Sequence, residues 1–336
     1  MRFPNSPPAR PFRPFVLGLA GALALGLAGC GQSVTDPEET RELMDEAEQY
    51  LALYSFEQAY DAFSRARQAL APGSEEWIRA TYFTATAGWH RTPGTDAYET
   101  EALDLLRELQ ETAPDSMYAR RAPAIIGRIL ELEDYPGDPI ELERAAEVYK
   151  AALDAIGKGE AAIHHHVIAL RYGSLFSRYI GEDEKILRGC RFLEDWLERY
   201  PDNYYAAVMW EWLAMTYMVQ LQDDARAYAA WKEVARIGFT NESRMGVSLQ
   251  RMGELAMSLG KYEEAGIWFS RSIRDAPRSG VAWVSRQMML EIEEKHPGTF
   301  DEIPPLVTFG QKVTREPILV PEAERIFLGK PLPEDG

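Results

Sequence analysis

Cysteine is almost absent from this chain, with Cys30 and Cys190 the two in 336 residues. So few cysteines exclude a disulfide framework. Basic residues are also in short supply, 36 against 53 acidic ones, for a net charge of −17. Such a surplus repels phosphate backbones and anionic lipid surfaces, so nucleic acid is not an expected partner. It favours solubility and steers a basic or locally complementary protein toward the chain. No apolar run reaches the roughly 20 residues that cross a bilayer. A Gly-rich phosphate loop, GxSxG, HExxH and CxxC are all missing, so no nucleotide, acyl-transfer or zinc-hydrolase chemistry is signalled. Carboxylate pairs such as Glu291 and Glu294 read as a solvated face in so acidic a chain. Apolar residues, at 46%, are enough to bury a core and too many for disorder.

The N-terminus reads as a targeting segment. Arg2, Arg10 and Arg13 form a positive start with no acid, and Phe15 to Leu27 is a short apolar run. It ends in Leu27-Ala28-Gly29-Cys30, which resembles the bacterial lipobox. That resemblance implies cleavage before Cys30 and lipidation of its sulfur and new amino group. Several acyl chains make a stable anchor where one does not. Gly31 stands where, in the same family pattern, aspartate implies inner-membrane retention, so the outer membrane, facing the periplasm, is expected. Removing residues 1–29 takes away three arginines and no acid, leaving 33 − 53 = −20. Cys190, in LRGCRFLEDW, is then left without a partner and is expected as a small buried residue on a helix.

Internal periodicity dominates the rest. Gly260-Lys261-Tyr262-Glu263-Glu264-Ala265 leads to Phe269 and Pro277, with Gly253 twelve residues before Ala265. This resembles the tetratricopeptide repeat, in which small residues let helix A and helix B cross closely and an aromatic follows the second. Gly253 and Ala265 are expected to face each other at that crossing. The frame recurs at Tyr50, Ala59, Phe63 and Ala66; at Ala102, Leu106, Leu109 and Pro114; and at Ala145, Tyr149 and Ala152. It continues at Gly189, Leu193, Trp196 and Pro201, then at Ala227, Trp231 and Val234. Spacings of four and three residues mark one helix face. The expected fold is all-α: a right-handed α-solenoid of about six helix pairs, at 40–70, 75–113, 116–157, 160–200, 203–237 and 241–277. Extra length is assigned to the A-to-B turns at His90–Asp96 and Asp134–Pro139. Pro123 is expected at a first turn or a kink. Residues 279–295 are expected to cap the stack.

The domain reading is a signal peptide at 1–29, a lipidated N-terminus and tether at 30–39, a superhelix at 40–296 and a tail at 297–336. Seven prolines in that tail stop any continuing helix. Its apolar runs at Leu306–Phe309 and Pro317–Val320 and a turn near Glu322–Leu328 either dock on the stack or belong to a disordered end.

His164-His165-His166 cannot all point at one metal on a helix, because consecutive residues diverge by about 100°. They are expected at a partly exposed helix start, and no metal, cofactor or catalytic residue is assigned. In MWEWLAMTYM, Trp210, Leu213, Ala214 and Tyr217 share a stripe expected in the core. With Ala227 as the crossing residue, Trp212 falls where helix A lines a concave groove, as a binding anchor. With the frame moved by one residue, it packs between repeats instead.

The junctions Pro114-Asp115-Ser116-Met117-Tyr118-Ala119 and Pro201-Asp202-Asn203-Tyr204-Tyr205-Ala206 place cap residues before the next packing face. They resemble junctions in Gram-negative envelope repeat proteins, among them the BamD-like lipoproteins of the β-barrel assembly machine and the Tol-Pal coordinator. The resemblance implies a non-catalytic, outer-membrane-anchored scaffold that binds protein partners of the cell envelope. Pilotins and lipoprotein regulators of cell-wall enzymes share such junctions, and a permanent structural subunit is the other form of the same expectation. A wall-lytic enzyme would need a catalytic domain after the superhelix, and the 40 residues of 297–336 are too few to fold alone without staples.

Overall fold

The computed structural model describes residues 37–132, 139–157, 160–239, 242–277 and 279–307. Among them are thirteen α-helices and no β-strand. They are α1 (Pro37–Ala52), α2 (Phe56–Ala69), α3 (Glu75–Trp89), α4 (Asp96–Thr112), α5 (Met117–Leu132), α6 (Pro139–Asp154) and α7 (Ile163–Leu175). A 3-10 turn at Phe176–Arg178 leads to α8 (Asp183–Arg199), α9 (Ala206–Val219), α10 (Asp224–Ile237), α11 (Glu242–Ser258), α12 (Tyr262–Asp275) and α13 (Gly280–Lys295). Side-chain caps set several starts. Ser74 accepts from Trp77 N at 3.2 Å, Ser116 from Ala119 N at 3.1 Å and Asp223 from Arg226 N at 3.0 Å. Each satisfies an amide that the helix itself leaves unpaired.

Every helix packs on its successor. The substantial contacts that skip a helix join odd-numbered ones: α3 to α5, α5 to α7 and α11 to α13. Odd helices therefore form one layer and even helices a second layer behind it. The core runs in series between the layers, from a cluster under α1–α3, through one under α3–α7, to the largest under α7–α13. Each element depends mainly on its neighbours, as in a stacked helical array.

One packing device recurs. Ala59, Ala102, Ala145, Gly189, Ala227 and Ala265 are buried on the even helices. Four residues further on, Phe63, Leu106, Tyr149, Leu193, Trp231 and Phe269 are each at most 1% exposed. A small residue on the odd helix receives the large one. A Cβ on Gly127 would lie 2.2 Å from the Tyr149 ring, one on Gly173 2.3 Å from Leu193, and one on Gly253 2.4 Å from Phe269. At the expected crossing of Gly253 with Ala265, the atoms nearest to Gly253 are those of the Phe269 ring. Residue i+4 lies one turn along the same helix face and fills the crossing. At Gly189 the backbones do meet, since its Cβ would sit 2.4 Å from the Gly173 carbonyl.

Two of the turns within pairs share a geometry, and a third varies it. Ser55 N donates to Tyr50 O and Lys261 N to Ala256 O, at 2.9 and 2.8 Å, each reaching back five residues. Tyr54 and Gly260 precede these donors with φ of 58° and 69°, in the left-handed region. Before α10 the corresponding bond, Asp223 N to Tyr217 O at 2.9 Å, reaches back six residues, with Gln222 at φ 51°. The α9–α10 turn is therefore one residue longer. Ala214, 0% exposed, replaces Met215 as the residue equivalent to Gly253.

Other expectations are corrected in detail. Pro123 lies in the second turn of α5 and is buried there. Trp210 is half-buried while Met209 takes a fully buried place; Leu213, Ala214 and Tyr217 are core. In the tail, Phe300, Ile303 and Leu306 pack against the largest cluster, and the Phe300 ring covers Gly266. Residues 308–336 lie outside the described residues, as do Cys30, residues 31–36 of its tether and residues 134–138 of the third turn, while residues 37–39 open α1.

Candidate functional site

The odd helices present a solvent-facing surface that the even helices do not cover. On α5 it is a stripe at helical spacing: Met117, Arg121, Ile125, Arg128 and Leu132, all half-buried or exposed. On α7 the stripe is Val167, Leu170, Arg171 and Ser174; on α9 it is Val208, Glu211, Trp212, Met215 and Val219. On α11 it is Val247, Gln250, Arg251 and Glu254.

The longer α9–α10 turn decides where Trp212 stands. The register place assigned to it falls to Glu211, which points toward α11 and comes within 4.0 Å of Arg244. Trp212 lies about 100° around the helix from Glu211. It is half-buried and packs against the largest core cluster while keeping an edge on the odd-helix face. Met215, one turn later, accepts from Arg251 Nη1 at 3.4 Å, tying α9 to α11.

Charge on α5 and α7 departs from that of the chain. Helices α5 and α7 hold Arg120, Arg121, Arg128 and Arg171 against a single carboxylate, Glu131. That carboxylate is 5% exposed and turned inward. It accepts from the Tyr149 hydroxyl at 2.6 Å and from Arg128 Nη1 at 2.6 Å. Burial and the facing Glu131 push the Tyr149 hydroxyl well above its ordinary range, while Arg171 and Arg128 pull it back. Burial pushes Tyr82 up to about 12, opposed by Arg121, and Tyr205 up to about 12, opposed by Arg171. Arg121 therefore stands near Tyr82, Arg128 near Tyr149, and Arg171 near Tyr149 and Tyr205. On the even layer, α4 carries Asp96, Glu99, Glu101, Asp104, Glu108 and Glu111 against Arg107.

The histidines begin α7, but two of the three are buried: His164 at 8% and His166 at 7%. The helix start is partly exposed, with Ala162 exposed and His165 half-buried, while the C-terminal end of α8 covers His166. His166 Nδ1 accepts from Trp196 Nε1 at 3.2 Å, and its ring meets those of Trp196 and Tyr200 edge-on. Burial, then the neighbouring His165, holds its pKa down to about 4. His165 caps the helix instead, its Nδ1 accepting from Ala162 N at 3.0 Å. Cys190 is buried, and burial pushes its thiol up to about 12. No group of histidine, cysteine and carboxylate side chains fit for a metal occurs among the described residues.

Two further features flank this face. The A-to-B turns follow one another along an edge. Phe56 meets His90 at 4.8 Å, Arg178 donates to Glu131 O, Gln220 to Ser177 O at 2.9 Å, and Ser258 to Asp224 at 2.6 Å. Leu53, Tyr54, Ile180 and Val219 protrude there, from 58% to 86% exposed. On the even side, a cleft of about 270 Å³ opens between α6 and α8 over Tyr172, Phe176 and Tyr179. Lys185 and Arg188 already cover its rings, at 4.1 Å from Tyr179 and 5.0 Å from Phe176.

No protein-family model matches the chain, and no curated protein is similar to it.

Proposed function

We propose that this chain is a lipid-anchored, non-catalytic scaffold of the bacterial envelope that holds a segment of a partner protein on its odd-helix face. In this reading the fold is a right-handed solenoid of about six tetratricopeptide-type pairs, capped by α13. Cys30 carries the lipid and fixes the protein to the outer membrane, facing the periplasm, as part of an assembly of the β-barrel-assembly kind. The observation that carries the reading is the uncovered stripe on successive odd helices. It combines aliphatic and methionine side chains with Trp212 and arginines, the composition of a partner-binding surface. In this reading the odd-helix face is the groove of the stack.

Affinity capture from the native envelope fraction tests it. The chain lacking residues 1–29 should retain a discrete partner, and Trp212→Ala with Met215→Glu should lose it. Equal retention by both would contradict the assignment of the face.

The apolar turn edge favours a second reading, a permanently embedded subunit. Leu53, Tyr54, Ile180 and Val219 would then be buried against a fixed neighbour. A competing peptide releases a groove-bound partner but not such a neighbour.

A further inference from the structure

We propose that residues 317–328 of the chain's own tail cover the outward side of α13, their apolar side chains seated on Trp283 and Leu290, and so close the C-terminal end of the stack. The inference goes beyond the scaffold reading and stands apart from the odd-helix face. A stack of helices needs a polar outer side at each end, because its terminal helix has no neighbour to cover it. At the N-terminal end α1 meets that need. Its exposed side chains include Arg41, Glu42, Asp45, Glu46 and Gln49, and no large apolar one. Helix α13 does not meet it. It packs on α11 and α12, and its buried side is Ala282, Ser285, Met289 and Ile292. The opposite side is one row at helical spacing: Trp283, Gln287, Leu290 and Glu294. Trp283 is 57% and Leu290 38% exposed, so among the described residues two large apolar groups are left in water at the end of the core.

The course of the chain after α13 points to the tail as the occupant. The Glu293 carboxylate accepts from Gly298 N at 2.5 Å and from Phe300 N at 3.1 Å, which turns the chain back. The Phe300 ring then covers Gly266 of α12, Ile303 and Leu306 pack against the core, and Pro304 is buried. Residue 307 is therefore still held at this end of the stack, and residues 308–336 follow it. The ten residues 308–317 reach up to about 33 Å when extended. A helix of sixteen residues, as α13 is, measures about 24 Å, so its whole outward side is within reach. Two apolar runs come next, Ile318-Leu319-Val320 and Ile326-Phe327-Leu328. Residues 308–330 hold four basic and three acidic side chains, so an acidic body does not repel them. A second copy of the chain would be repelled, because it brings a net charge of −17. A segment joined to its site also acts at an effective concentration on the order of millimolar, which a separate chain does not match.

The experiment places a photoreactive benzoylphenylalanine at position 290 of the full chain in its native envelope, and reads the adduct by its mass and by mass spectrometry of its digest. The link should join α13 to residues 317–328, in a product with the mass of a single chain. The same group at position 247, where Val247 is 39% exposed on α11, should give no link to the tail. Ile326→Asp combined with Phe327→Asp should abolish the link at 290. Circular dichroism verifies that each variant is folded. A product of twice the chain's mass would seat a second copy on α13, and an adduct with another protein would seat a partner there; either overturns the proposal. So does the absence of a link to the tail, or a link that survives Ile326→Asp with Phe327→Asp. None of these outcomes bears on partner capture through Trp212 and Met215, so the scaffold reading stands or falls separately.

Discussion

Gly127→Ala removes no contact and adds a single methyl group, yet it should be among the most damaging small changes in the chain. The new Cβ would lie 2.2 Å from Tyr149 Cε1, 2.3 Å from Cζ and 2.8 Å from Cδ1. Carbon atoms pack comfortably at about 3.5–4.0 Å, so the ring must retreat by more than about 1 Å. Tyr149 is 0% exposed, and its hydroxyl is tied to the buried Glu131 at 2.6 Å. Overpacking costs about 1–3 kcal/mol. Losing a hydrogen bond to a buried carboxylate costs about 1.5–3 kcal/mol more. The helix gains about 1 kcal/mol when glycine becomes alanine, for a net loss of about 1.5–5 kcal/mol. Gly253→Ala meets Phe269, which has no hydrogen bond to break, and should cost about 0–2 kcal/mol. Gly280→Ala, with nothing within 4 Å, should be neutral or slightly stabilising. Denaturant midpoints of the chain lacking residues 1–29 give the ranking. In a double-mutant cycle, Tyr149→Leu should shrink the Gly127→Ala penalty. A Gly127→Ala midpoint equal to or above the parent, or above that of Gly253→Ala, would refute the packing argument.

Cys30→Ala should abolish lipid labelling and release the protein from the membrane fraction; a mutant still labelled and membrane-bound contradicts the lipobox reading. His166 has a folded pKa of about 4 against an ordinary 6.5, so the unfolded chain binds the extra proton between those values. Its contribution is therefore present above pH 6.5 and lost as pH falls toward 4, by at most about 3 kcal/mol. His166→Gln should flatten stability in that window, and an unchanged slope would count against it. Cys190, buried with its thiol pushed up to about 12, should resist iodoacetamide until the chain is denatured; rapid native alkylation would place it on the surface instead.

The helices were legible in the sequence because the small residue and the large one four places later set both periodicity and burial. Ala59 with Phe63 and Ala265 with Phe269 show it at the two ends of the array. Trp212 was harder to place, because its register depends on turn length. Gln222 takes the left-handed conformation that Gly260 takes in the next pair, and no glycine marks the extra residue. The burial of His166 was not legible because its cover, Trp196 and Tyr200, is about thirty residues away in sequence and only the fold brings it over the ring. The arginines of α5 and α7 were hidden by the net charge, because composition sums over helices of different sign.

The central claim is that a partner lies on the odd-helix face, and site-specific photo-crosslinking in the native envelope tests it most directly. A photoreactive residue at Met215 should give a discrete adduct with another protein, and one at Ile267, 57% exposed on α12 of the even layer, should not. An adduct at position 267 with none at 215 would contradict the account.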